Sequence, residues 1–173
     1  MKGVIAIIVA LASTRAFADV RVFESRRGAT TEGDAVISCD PDTAYHAATD
    51  YDRWLQIFRG VTRATVTNQK GDEAHVTFEH DDGSKEKLHF RNQPDKRAMW
   101  FEQIGGDADV WCWTTFQPGP APGTTRVHTW LYADVSGAAS WFVSDSKLRD
   151  MRQQQVRNNL QQLQTYFQRN ARK

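Results

Sequence analysis

The sequence predicts one α+β domain: a curved antiparallel sheet of about seven strands wrapped on a long C-terminal helix, with two short helices after the first strand. Three observations carry this expectation. Segments rich in Val, Thr, Phe and Trp, broken by short Gly, Asp and Pro turns, fill residues 61–135. The stretch after Gly137 contains neither Gly nor Pro and keeps a helical apolar stripe. Between Asp40-Pro41 and Gly60 stand two short segments with helical spacing.

Composition narrows the class further. The chain has 173 residues, 40% apolar and 25% charged, proportions of a globular domain with room for a real core. The 22 basic and 21 acidic side chains leave a formal charge of +1, which gives no electrostatic case for nucleic acid. Two cysteines, Cys39 and Cys112, are too few for a disulfide scaffold or a cysteine-based zinc site.

The first eighteen residues read as an address. Lys2 is followed by the apolar run Val4 to Ala12, then by Ala16-Phe17-Ala18 ahead of Asp19. This is the three-part pattern of a secretory signal peptide, cut after Ala18, although Arg15 sits unusually close to the cut. The run is too short to cross about 30 Å of hydrocarbon as a helix. Removing residues 1–18 leaves 155, and with Lys2 and Arg15 gone, 20 basic face 21 acidic side chains. The expected organisation is a signal peptide over 1–18, a lead-in over 19–33 and the binding domain over 34–170. The expected location is a bacterial periplasm or the exterior. Cys39 and Cys112 can pair in such an oxidising place, and spacing alone does not decide it.

Each element has a local reason. Asp34 to Cys39 is the first expected strand, and Asp42 or Thr43 can cap a helix through Ala44, Tyr45, Ala47 and Ala48. Asp50 can cap the second, Tyr51 to Phe58, which Gly60 ends. Val61 to Asn68 is a strand. Asp81-Asp82-Gly83 closes a hairpin that pairs His80 with Ser84 and sets a register: Phe78 opposite Glu86, Val76 opposite Leu88, Ala74 opposite Phe90, His75 opposite His89. After the Gln93 to Lys96 turn, Ala98 to Ile104 puts Met99 and Phe101 on the side of Leu88 and Phe90. Gly105-Gly106-Asp107 turns into Val110 to Phe116, and Pro118 to Gly123 leads to a last strand, Thr124 to Val135. Ser140 or Ser144 can cap the long helix, whose stripe is Leu148, Val156, Leu160, Leu163 and Phe167.

One helix cannot cover a whole seven-stranded face, so an apolar hollow is expected beside it. A core filled by its own side chains is the alternative, and a hollow below about 300 Å³ would favour it, as an interaction module.

Asp40-Pro41, Ala44-Tyr45, the string Thr49-Asp50-Tyr51-Asp52-Arg53-Trp54-Leu55-Gln56-Ile57-Phe58, Val61, the Gly123-Thr124-Thr125-Arg126-Val127 strand entry and the terminal helix form a recognisable order. Over roughly Asp34 to Phe167 the chain resembles the START/polyketide cyclase (SRPBCC) superfamily with its helix-grip fold. It looks most like the coenzyme-Q-binding and polyketide-cyclase branch. The resemblance implies a cavity between helix and sheet that holds lipids, sterols, quinones or polyketides, with a minority of members being enzymes. Export departs from many relatives, which are cytosolic, so intracellular partners do not carry over.

The expected ligand-binding set is Trp54, Phe78, Leu88, Phe90, Met99, Phe101, Trp111, Trp113, Arg152, Asn159 and Leu163. A one-residue move of the Gly105-Gly106 turn would exchange the face of Trp111 and Trp113 with that of Cys112 and Thr114. Arg152 and Asn159 lie inside the apolar stripe of the helix. They either meet a ligand head group, a carboxylate or carbonyl, or Arg152 pairs with Glu86 or another protein acid or snorkels to water. His75 and His89 read as surface neighbours rather than metal ligands, and Asp50 as a cap rather than half of a catalytic pair with Asp52. No nucleophile, phosphate-loop, dinucleotide or zincin motif is present. The reading is an exported protein holding a hydrophobic molecule, with no metal or cofactor, no nucleic acid and no integral span. Transient membrane contact and oligomeric state stay open. The runner-up is a cyclase, aromatase or hydrolase working in the same cavity, which an inward His128 or Glu102 would favour.

Overall fold

The computed structural model describes residues 20–24, 30–105, 108–135 and 144–171. The expected signal peptide, Ser140 and the Gly106-Asp107 part of a turn lie outside them. Among the described residues eight strands form one open antiparallel sheet in the order β1-β2-β8-β7-β6-β5-β4-β3. They are β1 Arg21–Glu24, β2 Thr30–Ile37, β3 Val61–Lys70, β4 Glu73–His80, β5 Lys85–Gln93, β6 Ala98–Gln103, β7 Ala108–Pro118 and β8 Thr125–Val135. The helices are α1 Pro41–Thr49, α2 Trp54–Ile57 and α3 Asp145–Asn170, with a 3₁₀ turn at Tyr51–Arg53 running into α2.

The strand count exceeds the expected seven because β1 lies in the stretch read as a lead-in. β2 likewise starts at Thr30 rather than Asp34. Arg21 to Glu24 is too short to carry a period, and becomes a strand only by pairing Arg21 with Asp34 and Glu24 with Thr31. The hairpin β4–β5 has the register read from its loop: Phe78 faces Glu86, Val76 faces Leu88, Ala74 faces Phe90, and His80 N donates to Ser84 O at 2.9 Å. Gly83 takes φ +82°, which the loop requires.

Two caps differ from expectation. Asp40, not Asp42 or Thr43, caps α1 by accepting from Thr43 N at 2.9 Å. Pro41 at the first helical position explains the shift, since it starts the helix one residue early. Asp50 makes no side-chain cap bond and instead accepts from Arg53 Nε at 2.8 Å. Ser144 caps α3, accepting from Lys147 N at 3.3 Å.

The helix α3 packs chiefly on β2, with β8 and β1 beside it. A helix about 10 Å across can cover only two or three strands spaced about 4.8 Å apart. It sits close to the sheet because Gly33 has no side chain; a Cβ there would meet Val156 Cγ1 and come within 2.8 Å of Leu160 Cδ1. The core divides accordingly. One cluster joins α1, β2, β8 and α3 through Ile37, Val127, Val156 and Leu160. The other joins the α2 region to β4, β5 and β6 through Trp54, Phe78, Leu88 and Phe90. Phe58 and Phe101, both partly buried, touch each cluster.

Candidate functional site

The space between the two clusters is a cavity of about 620 Å³. Its origin is readable across the sheet. One inner row runs Asn92, Met99, Thr114, Thr129, Gly33, and the next runs Phe90, Phe101, Cys112, Leu131, Thr31. At the centre of β7 and β8 this inner surface has small side chains, Cys112, Thr114 and Thr129, between Phe116 and Leu131, so the sheet does not fill the gap beyond α3.

Trp54, Phe78, Leu88, Met99, Phe101 and Leu163 all stand on the cavity wall. Trp54 is held by Nε1 donating to Ala48 O at 2.8 Å and lies stacked on Phe78, with centroids 4.7 Å apart. Arg152 and Asn159 are on the helical wall. Phe90 is not on the wall; it is fully buried behind it, edge-on to Trp54 at 5.5 Å. Its position in the middle of the sheet lets α2 cover it.

Trp111 and Trp113 are corrected outright. They stand on the opposite face of the sheet, in a groove with Trp100, Trp130, Arg91 and Gln93. The pairing of Trp100 with Trp113 and of Phe101 with Cys112 settles the parity. Cys112 and Thr114 therefore occupy the inner positions. His128 and Glu102 also face outward. His128 lies 2.7 Å from Asp34 and 3.1 Å from Glu32, while His89 lies 3.2 Å from Glu102 and 3.5 Å from Glu73. The His75 and His89 rings are neighbours at 4.8 Å. Among the described residues no group of three His, Cys, Asp or Glu side chains is arranged for a metal.

The polar groups of the cavity stand on the floor, on the β4–β5 wall and along α3. On the floor Thr114 Oγ1 and Thr129 Oγ1 are 3.0 Å apart, with Cys112 Sγ 3.3 Å from the latter. Burial pushes the Cys112 thiol up, and pushes that of Cys39 up to about 12 with Asp40 adding to it, so neither supplies a thiolate at neutral pH. Both cysteines are free. Glu86 and His80 stand on the wall 3.8 Å apart. Burial pushes the Glu86 carboxyl above its usual value, with the nearby His80 working against it. Arg152 does not pair with Glu86; its Nη1 donates to Ala133 O at 3.1 Å and its Nη2 lies 3.5 Å from Glu24 Oε2. Asn159 Oδ1 accepts from Gln155 Nε2 at 3.1 Å.

The ligand-set expectation missed Cys112, Thr114, Thr129, His80 and Glu86. The hairpin register already put Glu86 on the apolar face opposite Phe78, which was the available signal for it. For the β7 and β8 residues, period two alone offers both faces equally.

The sequence matches the family described as polyketide cyclase / dehydrase and lipid transport over residues 28–168. No curated protein matches. Among solved structures, a protein from Thermus thermophilus aligns with a TM-score of 0.68 at 16% identity, covering 82% of this chain and 99% of that one. A START superfamily protein from Mycobacterium smegmatis gives 0.68 at 10% identity, covering 81% and 97%. The Zhui aromatase/cyclase from a Streptomyces species gives 0.66 at 12% identity, covering 82% and 94%. At such identities the likeness is one of fold.

Proposed function

We propose that this chain, which belongs to the polyketide cyclase / dehydrase and lipid transport family and has the helix-grip fold of the START superfamily, holds a hydrophobic small molecule in its cavity for carriage or sequestration. The observation that carries this reading is the cavity itself. Its volume of about 620 Å³ falls within the roughly 300–1,000 Å³ of small-molecule sites, and stands above the size that would favour a self-filled core. An apolar ligand leaving water for a wall of Trp54, Phe78 and Leu163 gains about 25 cal/mol for each Å² removed from water. Polar groups on the wall, Arg152 and Asn159 among them, would orient it.

Lys2, the Val4 to Ala12 run and Ala16-Phe17-Ala18 support export as part of the same proposal. Mass analysis of secreted material should find Asp19 at the N-terminus; Met1 retained in a membrane fraction overturns the export reading.

Native mass spectrometry or solvent extraction of the purified protein should release an apolar molecule. Adding a matching lipid or quinone at one hundred times its Kd should stabilise the fold by about 2.7 kcal/mol, a rise of roughly 5–11 °C in Tm for a chain of this size. An empty protein with no shift across lipids and quinones overturns the proposal.

A second reading, cyclase or aromatase chemistry in the same cavity, is favoured by Glu86 and His80 on its wall, a carboxyl raised by burial beside an imidazole. A poly-β-ketone offered to the protein would then lose water as its ring closes, and Glu86→Gln would abolish that loss. No loss of water with the wild type removes this reading and leaves the first intact.

A further inference from the structure

The side chain of Arg152 is 8% exposed, set among Leu148, Val156 and Leu160 on α3. A guanidinium offers five N–H donors, and a cation so buried is stable only when paired and fully bonded. Here Nη1 meets one neutral carbonyl, that of Ala133, at 3.1 Å. The acid nearest Nη2, Glu24, is 3.5 Å away, and its Oε1 already accepts from Thr31 Oγ1 at 2.7 Å and Gln153 Nε2 at 3.4 Å. Arg152 Nε is buried with no partner.

The outer face of the same sheet shows what adequate pairing looks like. Arg126 and Arg21, 51% and 67% exposed, have Asp34 at 3.0 and 3.2 Å. These two well-hydrated arginines thus hold an acid closer than the buried Arg152 does. Arg152 stands on the cavity wall, so the lumen is where its missing acceptor can enter.

Resting on the reading of the cavity as a binding site for an apolar molecule, we propose that the ligand is an amphipathic monocarboxylate, its head on Arg152 and its chain running toward Trp54 and Phe78. A planar fork matches a carboxylate with two parallel bonds. Of the two arginines on the wall Arg59 is exposed, and the one buried guanidinium, with Glu24 near it, suits a single negative charge better than a phosphate monoester, which carries nearly two. Asn159, seven residues on along the same helical wall, has its carbonyl taken by Gln155, so what it offers the ligand is its amide N–H.

The test is calorimetric titration of the purified protein with dodecanoate, dodecan-1-ol and dodecyl phosphate. The wild type should bind dodecanoate at least about tenfold more tightly than the alcohol, a gap in the range expected for one charge-assisted contact. Arg152→Met should reduce that preference to within about twofold. Equal binding of acid and alcohol by the wild type overturns the head-group assignment and leaves the apolar site standing. Binding of none of the three overturns the apolar site and this proposal together. Tighter binding of the phosphate overturns the choice of carboxylate. If Arg152→Met does not fold, Glu24→Gln carries the test: releasing the competing acid should raise the preference for dodecanoate several-fold, and an unchanged or smaller preference overturns the proposal.

Discussion

The two faces of β6, β7 and β8 come from alternate residues of the same strands, yet one carries a row of large rings and the other is small-residue at its centre. Outward, Arg91, Trp100, Trp113, Trp130 and Glu32 stand in one row across five strands, with the Arg91 guanidinium 4.9 Å over Trp100. Trp111 and Tyr132 stack in the neighbouring row at 5.7 Å. Inward, the same strands present Thr114, Thr129 and Cys112 at the centre, flanked by Met99, Phe101, Phe116 and Leu131. Large rings packed side by side stiffen the outer surface without touching the lumen. Small residues facing in leave the lumen open. The aromatic wealth of this chain therefore serves two separate ends, and only the Trp54 side of it belongs to the cavity.

Ionisation differs between the faces in the same sense. Burial alone would raise Asp34 on the outer face, but hydrogen bonds from Arg126 and His128, with their charges, hold its carboxyl below the usual value. Glu86 on the inner face has no such donors and is raised. Opposite displacements give opposite pH effects.

The widest separation of the faces should come from Phe78→Ala, which deletes a ring 1% exposed and stacked on Trp54. Denaturant unfolding should show a loss of about 3–5 kcal/mol, with ligand affinity falling as well. On the outer face Asp34→Asn should cost about 2–3 kcal/mol at neutral pH by weakening its bonds to His128 and the two arginines, and should leave affinity unchanged. The wild type carries the Asp34 contribution in full above the unfolded carboxylate value of about 3.9. It loses that contribution as pH falls through the lower folded value. A stability–pH curve of Asp34→Asn should lack that acid limb, and an identical limb in both proteins breaks the comparison.

Gly33→Ala comes next, at about 1–3 kcal/mol, because its methyl must displace Val156 and Leu160. Thermal unfolding measures it; wild-type stability would mean that α3 does not sit as close as described. Trp113→Ala should be milder, about 1–2 kcal/mol for a partly exposed ring, with ligand affinity within twofold of wild type. A tenfold loss of affinity would place the outer groove in the binding site. The smallest effect belongs to Glu86→Gln. Because the folded carboxyl of Glu86 is raised, the wild type loses stability as pH climbs from the unfolded value through the folded one, and the amide should remove that loss.

Much of the architecture was legible because it rests on local chemistry. The β4–β5 register followed from a three-residue loop containing Gly83, and the inward placement of Phe78, Leu88, Met99 and Phe101 followed from that register and the Gln93 to Lys96 turn. The stripe Leu148, Val156, Leu160, Leu163 and Phe167 on α3 followed from helical spacing, and all five are buried. The site was legible only where those elements supply it. The outward face of Trp111 and Trp113 is not legible in the sequence, because a turn can enter a strand at either parity and both parities put plausible residues inward. β1 was missed because four residues acquire strand character only beside a partner.

What the sequence by itself determined about this protein is the order of its elements, the residues that bury on β4, β5 and α3, and its likeness to a superfamily. These depend on periodicities of two and 3.6 and on turn residues, which act within a few positions. Tertiary structure alone decided which face of β7 looks inward, how closely α3 approaches Gly33, and that Arg152 finds Glu24 only at arm's length. Each of those depends on where distant segments meet, and a one-residue change of register or an ångström of approach reverses it without altering any local preference.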